Sequence, residues 1–307
     1  MKILLVGAGD IGRRVLAQTA GRHAVTAVTS MRKHRRALRR LGAQAVVADL
    51  DRRRTLGRLA GDWDVLIHCA PPPASGQRDV RTRNLLHALR RAMRARRARP
   101  RAIVYLSTSG VYGDCAGARV TESRAVKPQN PRARRRVDAE RSLARAARRC
   151  GARMAILRVP GIYAADRLPL DRLRAGTPAI ARAEDSYTNH IHADDLAAIT
   201  LRAMRRALRR RGAQVRVYHA SDDSDLRMGD YFDLVARAFG LAPPPRMARV
   251  DIARAVSPAL LSFMRESRRL DNTRMKRELR VHLQFPTVAD GLAAATAAIG
   301  AGVRSKA

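Results

Sequence analysis

Short apolar runs rich in β-branched residues alternate with longer segments of helical periodicity along the first half of this chain. The runs cover residues 3–6, 25–29, 45–48, 65–69, 103–106 and 155–159. Strands separated by helical segments are joined by right-handed crossovers, which leave the strands parallel and place helices on both faces of the sheet. The alternation therefore predicts an α/β fold with a doubly wound parallel sheet, whose ligands bind at the carboxyl ends of the strands.

A glycine-rich turn with the sequence GAGDIG directly follows the first run and opens a helix. Gly7 permits the tight turn, Gly9 lets the backbone approach a pyrophosphate, and Gly12 allows the helix to pack on the strand. The amino terminus of the helix, which includes Asp10 and Ile11, then faces the anion. The pattern predicts dinucleotide binding by a Rossmann-type domain, and a turn of purely structural purpose is the alternative interpretation.

Residues after the next three strands are expected to line the same cleft. Ser30 and Arg32 follow the second strand, where an acidic residue would bind a free ribose 2′-hydroxyl and a basic residue a 2′-phosphate. Because no acid is present there, the sequence favours NADP over NAD as the cofactor. Asp49 can contact the adenine region or cap the helix that begins near Arg52. The remaining predicted contacts are Leu50 after the third strand and Cys69, Ala70 and Pro71 after the fourth.

The second half of the chain is less regular than the first. A strand-like segment at 215–220, a proline run at 243–245 and helical segments at 229–239 and 287–299 show no internal repeat and no clean linker. We predict a dinucleotide-binding Rossmann domain over residues 1–160 and a smaller C-terminal substrate lobe over residues 161–307. The lobe is expected to be interleaved with the first domain, with segments around residues 188–220 returning to it.

The formal net charge of +36 invites a nucleic-acid interpretation, because a basic surface attracts phosphate. The spacing of the basic residues argues against it. Within residues 193–211, Leu196, Ile199 and Ala203 recur at helical spacing while arginines fill the other positions, so arginine occupies ordinary solvent-exposed faces. We therefore do not expect a nucleic-acid partner.

Three further features bear on location and partners. No apolar segment approaches the roughly 20 residues needed to cross a bilayer, and the apolar run at the start is too short for a signal peptide, so we expect a cytoplasmic protein without a membrane partner. Cys69, Cys115 and Cys150 are widely spaced and form no metal or disulfide pattern, and no metal site is expected. The sequence leaves open whether the chain forms a homodimer.

Several motifs together carry a resemblance to a known family. They are GAGDIG, ADLD, LIHCA, VYLSTSGVYGD, LRVPGIYAADR and YTNHIHADDL. On these motifs the chain resembles the extended short-chain dehydrogenase/reductase family, the NAD-dependent epimerase/dehydratase group, from Lys2 to the terminal helix. It departs from that group in the glycine turn, which is spaced GxGxxG where the group has GxxGxxG.

The resemblance implies a catalytic hydroxyl at Thr108, five residues before the glycine of VYG, with Ser107 beside the cofactor. It also implies a YxxxK motif about 20 residues past Tyr112, but Arg132 and Arg136 stand where the tyrosine and the lysine belong. A guanidinium does not release its proton in proteins, so Arg132 cannot be the general base, although it can clamp a phosphate or a carboxylate. Arg136 takes the place of the lysine that holds the nicotinamide ribose.

If catalysis survives, the proton carrier must lie outside this degenerate YxxxK motif. Tyr163 is the nearest candidate, with Tyr187 and His190 as others, although for each of them a place in the pocket wall is the favoured interpretation. We predict an NAD(P)-binding oxidoreductase or epimerase/dehydratase-like protein that acts on a sugar-like or anionic small metabolite through an atypical active site. The alternative is a catalytically silent NAD(P)-binding sensor or assembly protein.

Overall fold

The computed structural model describes residues 1–19, 21–94, 100–209 and 212–304. Its strands are β1 Lys2–Val6, β2 Ala24–Thr29, β3 Gln44–Val47, β4 Val65–His68, β5 Ala102–Thr108, β6 Arg119–Val120, β7 Arg153–Val159, β8 Gly161–Tyr163, β9 Ala179–Ile180, β10 Tyr187–Thr188, β11 His190–His192, β12 Gln214–His219, β13 Leu226–Arg227, β14 Arg246–Met247 and β15 Arg269–Leu270. Its α-helices are α1 Asp10–Thr19, α2 Arg35–Arg40, α3 Val80–Arg94, α4 Pro131–Cys150, α5 Leu170–Arg174, α6 Ala193–Leu208, α7 Met228–Ala238, α8 Arg249–Ala255, α9 Pro258–Met264, α10 Thr273–Leu279 and α11 Val288–Arg304.

A seven-stranded sheet organises the molecule, with the strand order β12-β7-β5-β4-β1-β2-β3. Every pairing within it is parallel. The order reverses direction between β1 and β4, which creates the crevice where ligands bind in open α/β sheets. The protein therefore has the doubly wound, Rossmann-type α/β fold that the sequence predicts.

The central strands are buried on both faces because helices cover both sides of the sheet. In β1, Ile3 and Leu5 belong to one apolar cluster and Leu4 and Val6 to the other, and all four side chains are almost completely buried. Helices α1 and α6 pack on the first face, and α3 and α4 on the second. The continuous apolar runs of the sequence thus correspond to strands with two buried faces.

The chain returns to the sheet after entering its C-terminal lobe. Helix α6 packs against α1, and β12 pairs with β7 at the sheet edge, with Tyr218 opposite Leu157. Other residues of the second half form a smaller apolar cluster around Tyr163, Tyr231, Phe232 and Leu292. The described structure therefore interleaves segments of the second half with the large sheet.

Helix α4 begins and ends where its sequence provides the appropriate terminal groups. The Asn130 side chain accepts a hydrogen bond from the backbone N–H of Ala133, Pro131 occupies the first turn, and Gly151 ends the helix with φ +76°. An asparagine cap and a proline in the first turn suit a helix start, and a left-handed glycine suits its end. These signals fix the position of the helix that carries Arg132 and Arg136.

Most arginines lie on solvent-facing surfaces, as the spacing indicates. In α6, Leu196, Ile199 and Ala203 are fully buried and Arg202 is exposed, whereas Arg210 of the predicted helix lies outside the described residues. Among the residues that the structure describes, three arginines depart from this rule and are buried, namely Arg135, Arg158 and Arg268. Across the described ranges, we find no helix with the length and apolar character required for a membrane span.

Candidate functional site

The carboxyl ends of strands β1 to β4 enclose a cleft of about 250 Å³. Residues from four successive strand ends contribute to its wall, as expected at the reversal point of the sheet. They include Gly7, Gly9, Ser30, Asp49, Leu50, Ala70, Pro71 and Arg81. The structure thus brings seven of the fourteen residues that the sequence assigns to a cofactor into the wall of one cleft.

The three glycines of the GAGDIG turn differ in the space around them. A Cβ atom on Gly7, where φ is +91°, would lie 2.4 Å from the backbone nitrogen of Ala70, and one on Gly12 would lie 2.6 Å from the Gly7 carbonyl oxygen. A Cβ atom on Gly9 would meet no atom within 4 Å. Gly7 and Gly12 are therefore required by packing, whereas Gly9 faces an open cradle at the start of α1, in the wall of the cleft.

Asp10, in the first turn of α1, is engaged by two arginines. Its carboxylate accepts a hydrogen bond from Arg14 Nε at 3.0 Å and another from Arg167 Nη1 at 2.7 Å. Partial burial opposes ionisation of Asp10, but the hydrogen bonds from Arg167 and Arg14 outweigh it and lower its pKa. Ile11 is buried beneath the turn. Asp10 is thus an ionised residue in the first turn of α1, paired with two arginines.

Basic side chains surround a second cavity, of about 500 Å³, next to the cleft. Ser30 and Asp49 lie between the two cavities and line both. The basic residues on the wall of the second cavity are Arg32, Arg52, Arg54 and Arg58. The region beyond the second strand therefore has a strongly cationic environment around the predicted ribose position.

Arg81, at the start of α3, is a cleft residue that the sequence does not single out. Its Nε and Nη2 atoms donate to the two carboxylate oxygens of Asp51 at 2.9 and 2.6 Å, and its Nη1 atom donates to the carbonyl oxygens of Pro71 and Pro72 at 3.3 Å. It thereby ties the loop after β3 to the loop after β4. No sequence signal distinguishes it, because Asp51 is distant in sequence and arginine is abundant.

The loop after β4 continues the cleft wall toward α4. Burial raises the pKa of the Cys69 thiol to about 12, so the sulfur stays protonated and contributes packing rather than nucleophilic chemistry. Arg136 lies near it and donates from Nη1 to the Leu106 carbonyl oxygen at 2.8 Å and to the Tyr105 hydroxyl at 3.1 Å. Arg136 is therefore anchored at the end of β5, near the other cleft residues.

A buried polar network runs from the end of β5 into the protein. Ser107 Oγ donates to Glu140 at 2.6 Å, Glu140 binds Arg158, and Arg158 Nη1 donates to the Tyr112 hydroxyl at 2.7 Å. The Tyr112 hydroxyl also contacts His219 Nε2 at 2.6 Å. The Ser107 hydroxyl is thus bonded to a buried carboxylate, and Arg158 is buried in the core.

Thr108 shares a small region with a carboxylate from the C-terminal lobe. A Cβ atom built on Gly110 would lie 3.6 Å from Thr108 Oγ1 and 3.7 Å from Glu266 Oε2. Glu266 accepts hydrogen bonds from Asn130 Nδ2 and from both terminal nitrogens of Arg268, each at 2.9 Å. Thr108 Oγ1 itself accepts the Gly110 N–H at 3.3 Å. Glu266 has no motif that would mark it in the sequence.

Arg132, at the expected tyrosine position, stacks on an aromatic ring of the opposite lobe. Its guanidinium carbon lies 3.9 Å from the ring centroid of Phe263 in α9. Partial burial lowers the pKa of Arg132, an effect opposed by Glu266 and reinforced by neighbouring arginines. The group stays a cation at neutral pH because an arginine pKa begins above about 12, so it offers a fixed positive charge near the Thr108 region.

The other proton-carrier candidates have packing contacts. Tyr163 is 1% exposed, and its hydroxyl donates to the Thr287 carbonyl oxygen at 3.0 Å within the core of the C-terminal lobe. Burial raises the pKa of Tyr163 and lowers that of His190 to about 3. His190 stacks on Tyr231 with 4.1 Å between ring centroids, and Arg269 covers the Tyr187 ring. The structure does not bring Tyr163 to the end of β5.

The family model described as NAD dependent epimerase/dehydratase family matches residues 3–218. No protein with a curated function matches the sequence. The chain therefore belongs to the NAD dependent epimerase/dehydratase family, on a match that covers more than half of its length.

Solved structures share the fold over nearly the whole chain. A conserved protein of unknown function from Silicibacter pomeroyi is 28% identical, with a TM-score of 0.77 over 97% of this chain and 98% of that one. A UDP-glucuronic acid 4-epimerase from Bacillus cereus in complex with NAD is 18% identical, with a TM-score of 0.72 over 97% and 96%. A UDP-glucose 4-epimerase from Thermotoga maritima with UDP-glucose is 17% identical, with a TM-score of 0.76 over 99% and 100%.

Proposed function

We propose that this protein is an NADP- or NAD-dependent oxidoreductase or epimerase/dehydratase-like enzyme acting on a sugar-like or anionic small metabolite. The observation that carries the proposal is the open cradle at Gly9, bounded by the close-packed Gly7 and by the first turn of α1. A backbone surface free of side chains at a helix amino terminus suits a dinucleotide diphosphate. The B. cereus epimerase of the same fold holds NAD, which supports the assignment.

Different residues along the cleft would contact different parts of the proposed cofactor. Gly7, Gly9, Asp10, Ile11 and Gly12 would form the diphosphate turn. Asp49 and Leu50 would contact the adenine region, and Ser30 with Arg32 would bind a ribose 2′-phosphate. The four arginines around the adjoining cavity favour that phosphate, so we propose NADP over NAD. Cys69, Ala70, Pro71, Ser107 and Arg136 would flank the nicotinamide half.

The substrate would bind where the ends of β5 and α4 face the C-terminal lobe. The bound cofactor would supply the redox chemistry there. Thr108 would hydrogen-bond a substrate hydroxyl or carbonyl, and Arg132, fixed on Phe263, would bind a carboxylate or phosphate group of the same molecule. A phosphate-bearing sugar satisfies both requirements, and the structural relatives that act on UDP-sugars are compatible with this substrate class.

Two measurements, made one after the other, test the proposal. Fluorescence titration with NADPH and NADH should show binding of both, with NADPH tighter, and failure of both to bind would refute it. Absorbance at the nicotinamide band and chromatography of products should then be followed with UDP-glucose, UDP-glucuronic acid and their C4 epimers. Turnover that is lost in Thr108→Val but retained in the exposed control Thr121→Val would support the enzymatic assignment.

A second candidate function is a catalytically silent NAD(P)-binding sensor or assembly protein. It is favoured by the side chains at the degenerate motif, since Arg132 stacks on Phe263 and Arg136 is bonded to the Leu106 carbonyl, and neither can exchange a proton at neutral pH. The double variant Arg132→Tyr/Arg136→Lys distinguishes the two. Turnover that appears only in the double variant would favour the silent protein, whereas turnover by the unmodified protein would exclude it.

A further inference from the structure

An ion-pair cluster lies beside the start of α1. It consists of Asp10, Arg14, Asp166, Arg167 and Asp194. Arg14 joins three carboxylates, with Nε on Asp10 at 3.0 Å, Nη2 on Asp166 at 3.1 Å and Nη1 on Asp194 at 2.7 Å. Arg167 joins Asp10 alone, with Nη1 at 2.7 Å from Oδ2. The cluster therefore connects the dinucleotide turn to the chain after β8 and to the start of α6.

The two arginines of this cluster differ in how many donors they have left. All three guanidinium nitrogens of Arg14 are bonded to carboxylates. Arg167 uses one terminal nitrogen, and within the described ranges its remaining N–H groups make no other hydrogen bond. A guanidinium has five N–H donors in a planar fork that matches phosphate oxygens. Arg167, 37% exposed at its side chain, is thus the arginine with donors to offer.

The charge on Asp10 affects any anion that binds at the start of α1. A carboxylate in the first turn of a helix is favourable to the helix itself, but it repels an anion bound to the same turn. Asp10 directly follows Gly9, whose missing side chain leaves the cradle open. Arg14 and Arg167 both pair with Asp10 and offset this repulsion, and within the described ranges Arg167 is the one of the two that keeps N–H groups without a hydrogen-bond partner.

We propose that Arg167 is a ligand of the cofactor diphosphate supplied by the C-terminal half of the chain and positioned by Asp10. This inference rests on the proposed dinucleotide binding and adds to it a residue from outside the Rossmann domain. Because Arg167 belongs to the segment that leads from β8 to α5, cofactor binding is thereby linked to the segment that carries the substrate lobe.

The test measures binding of NADPH and of ADP by calorimetry, so that no substrate is needed. Arg167→Ala should weaken both by about tenfold or more, the loss of a charge-assisted hydrogen bond, and Arg167→Lys should recover part of it. Adenosine 2′-monophosphate, which has no diphosphate, should bind Arg167→Ala as it binds the unmodified protein. The matched control is Arg174→Ala, since Arg174 pairs only locally with Asp171 at 3.0 Å.

The double variant Asp10→Asn/Arg167→Ala provides a second readout. In Arg167→Ala the Asp10 carboxylate keeps its pair with Arg14 but loses Arg167, so its repulsion of a bound anion is less compensated. The double variant removes this carboxylate and should therefore bind ADP better than Arg167→Ala alone. If Arg167→Ala binds NADPH and ADP as tightly as Arg174→Ala does, the proposal for Arg167 is overturned while the proposed function stands. If the unmodified protein binds neither NADPH nor NADH, the proposed function fails first, and this inference fails with it.

Discussion

Glu140 of α4 and Arg158 of β7 form a buried ion pair, with 2.9 Å between Oε2 and Nη2 and side-chain exposures of 8% and 7%. The pair is part of a continuous chain of hydrogen bonds from Ser107 at the end of β5 to His219 in β12. Each polar atom in it is buried with a partner, which is the condition under which buried charges are tolerated. The pair thus joins α4 to the sheet directly behind the candidate active site.

Glu140→Ala should destabilise the protein by about 3–5 kcal/mol, because removing one partner of a buried pair leaves the other charge uncompensated. The free energy of unfolding measured in urea checks the prediction. Asp171→Ala is the control, since that side chain is fully exposed in its ion pair with Arg174, and it should leave stability unchanged. A loss below about 1 kcal/mol for Glu140→Ala would show that the pair is not desolvated as the structure indicates.

Gly9→Ala should abolish cofactor binding without unfolding the protein. A Cβ atom there meets no protein atom within 4 Å, so it costs little in packing, but it occupies the proposed diphosphate cradle. We expect the melting temperature to be unchanged and NADPH binding to be lost in fluorescence titration. Gly57→Ala, where a Cβ atom is equally unobstructed, should keep both. Tight NADPH binding by Gly9→Ala would place the diphosphate elsewhere.

Arg32→Ala should weaken NADPH binding by about tenfold and NADH binding by less than about twofold, because only NADPH has the 2′-phosphate that a guanidinium would bind. The ratio of the two dissociation constants is the measurement. Arg39→Ala, on the exposed side of α2, should leave that ratio as it is. If the ratio of the NADPH and NADH dissociation constants is unchanged in Arg32→Ala, either another arginine of the adjoining cavity binds the 2′-phosphate or the protein does not prefer NADP.

Asp222 should make the stability of the protein fall as pH rises. Its side chain is 3% exposed, and its Oδ2 atom has no hydrogen-bond partner among the described residues. Burial raises the pKa of Asp222 from 3.8 to about 8. The folded state therefore holds this proton more tightly than the unfolded state, and the stability present below about pH 4 is lost as pH rises through about 8.

Asp222→Asn removes that titration and should flatten the dependence of the melting temperature on pH between about pH 5 and about pH 8. Asp225→Asn serves as the control, because Asp225 is 45% exposed and should keep the slope of the unmodified protein. The same slope in Asp222→Asn and in the unmodified protein would show that Asp222 is ionised in the folded state.

Much of the cleft wall could be predicted from the sequence, and little of the surroundings of Thr108 could. Gly7, Asp49 and Ala70 line the cleft because they follow strand ends, and strand ends are visible as the limits of apolar runs. Arg81 and Glu266 are brought to the site by residues far along the chain, Asp51 and Asn130. Tyr163 was a candidate by its position after β7, but its surroundings in the C-terminal core were not visible in sequence.

The sequence by itself determined the parallel sheet and the glycine turn, because both depend on local patterns: apolar runs long enough for strands buried on two faces, and glycines where a side chain would collide with neighbouring backbone. Tertiary structure alone decided which arginine pairs with which carboxylate. With 62 lysines and arginines in the chain, the spacing of residues along the sequence does not indicate which basic residue each acidic residue pairs with. Only folding brings Arg167 to Asp10, Arg158 to Glu140 and Arg132 to the ring of Phe263.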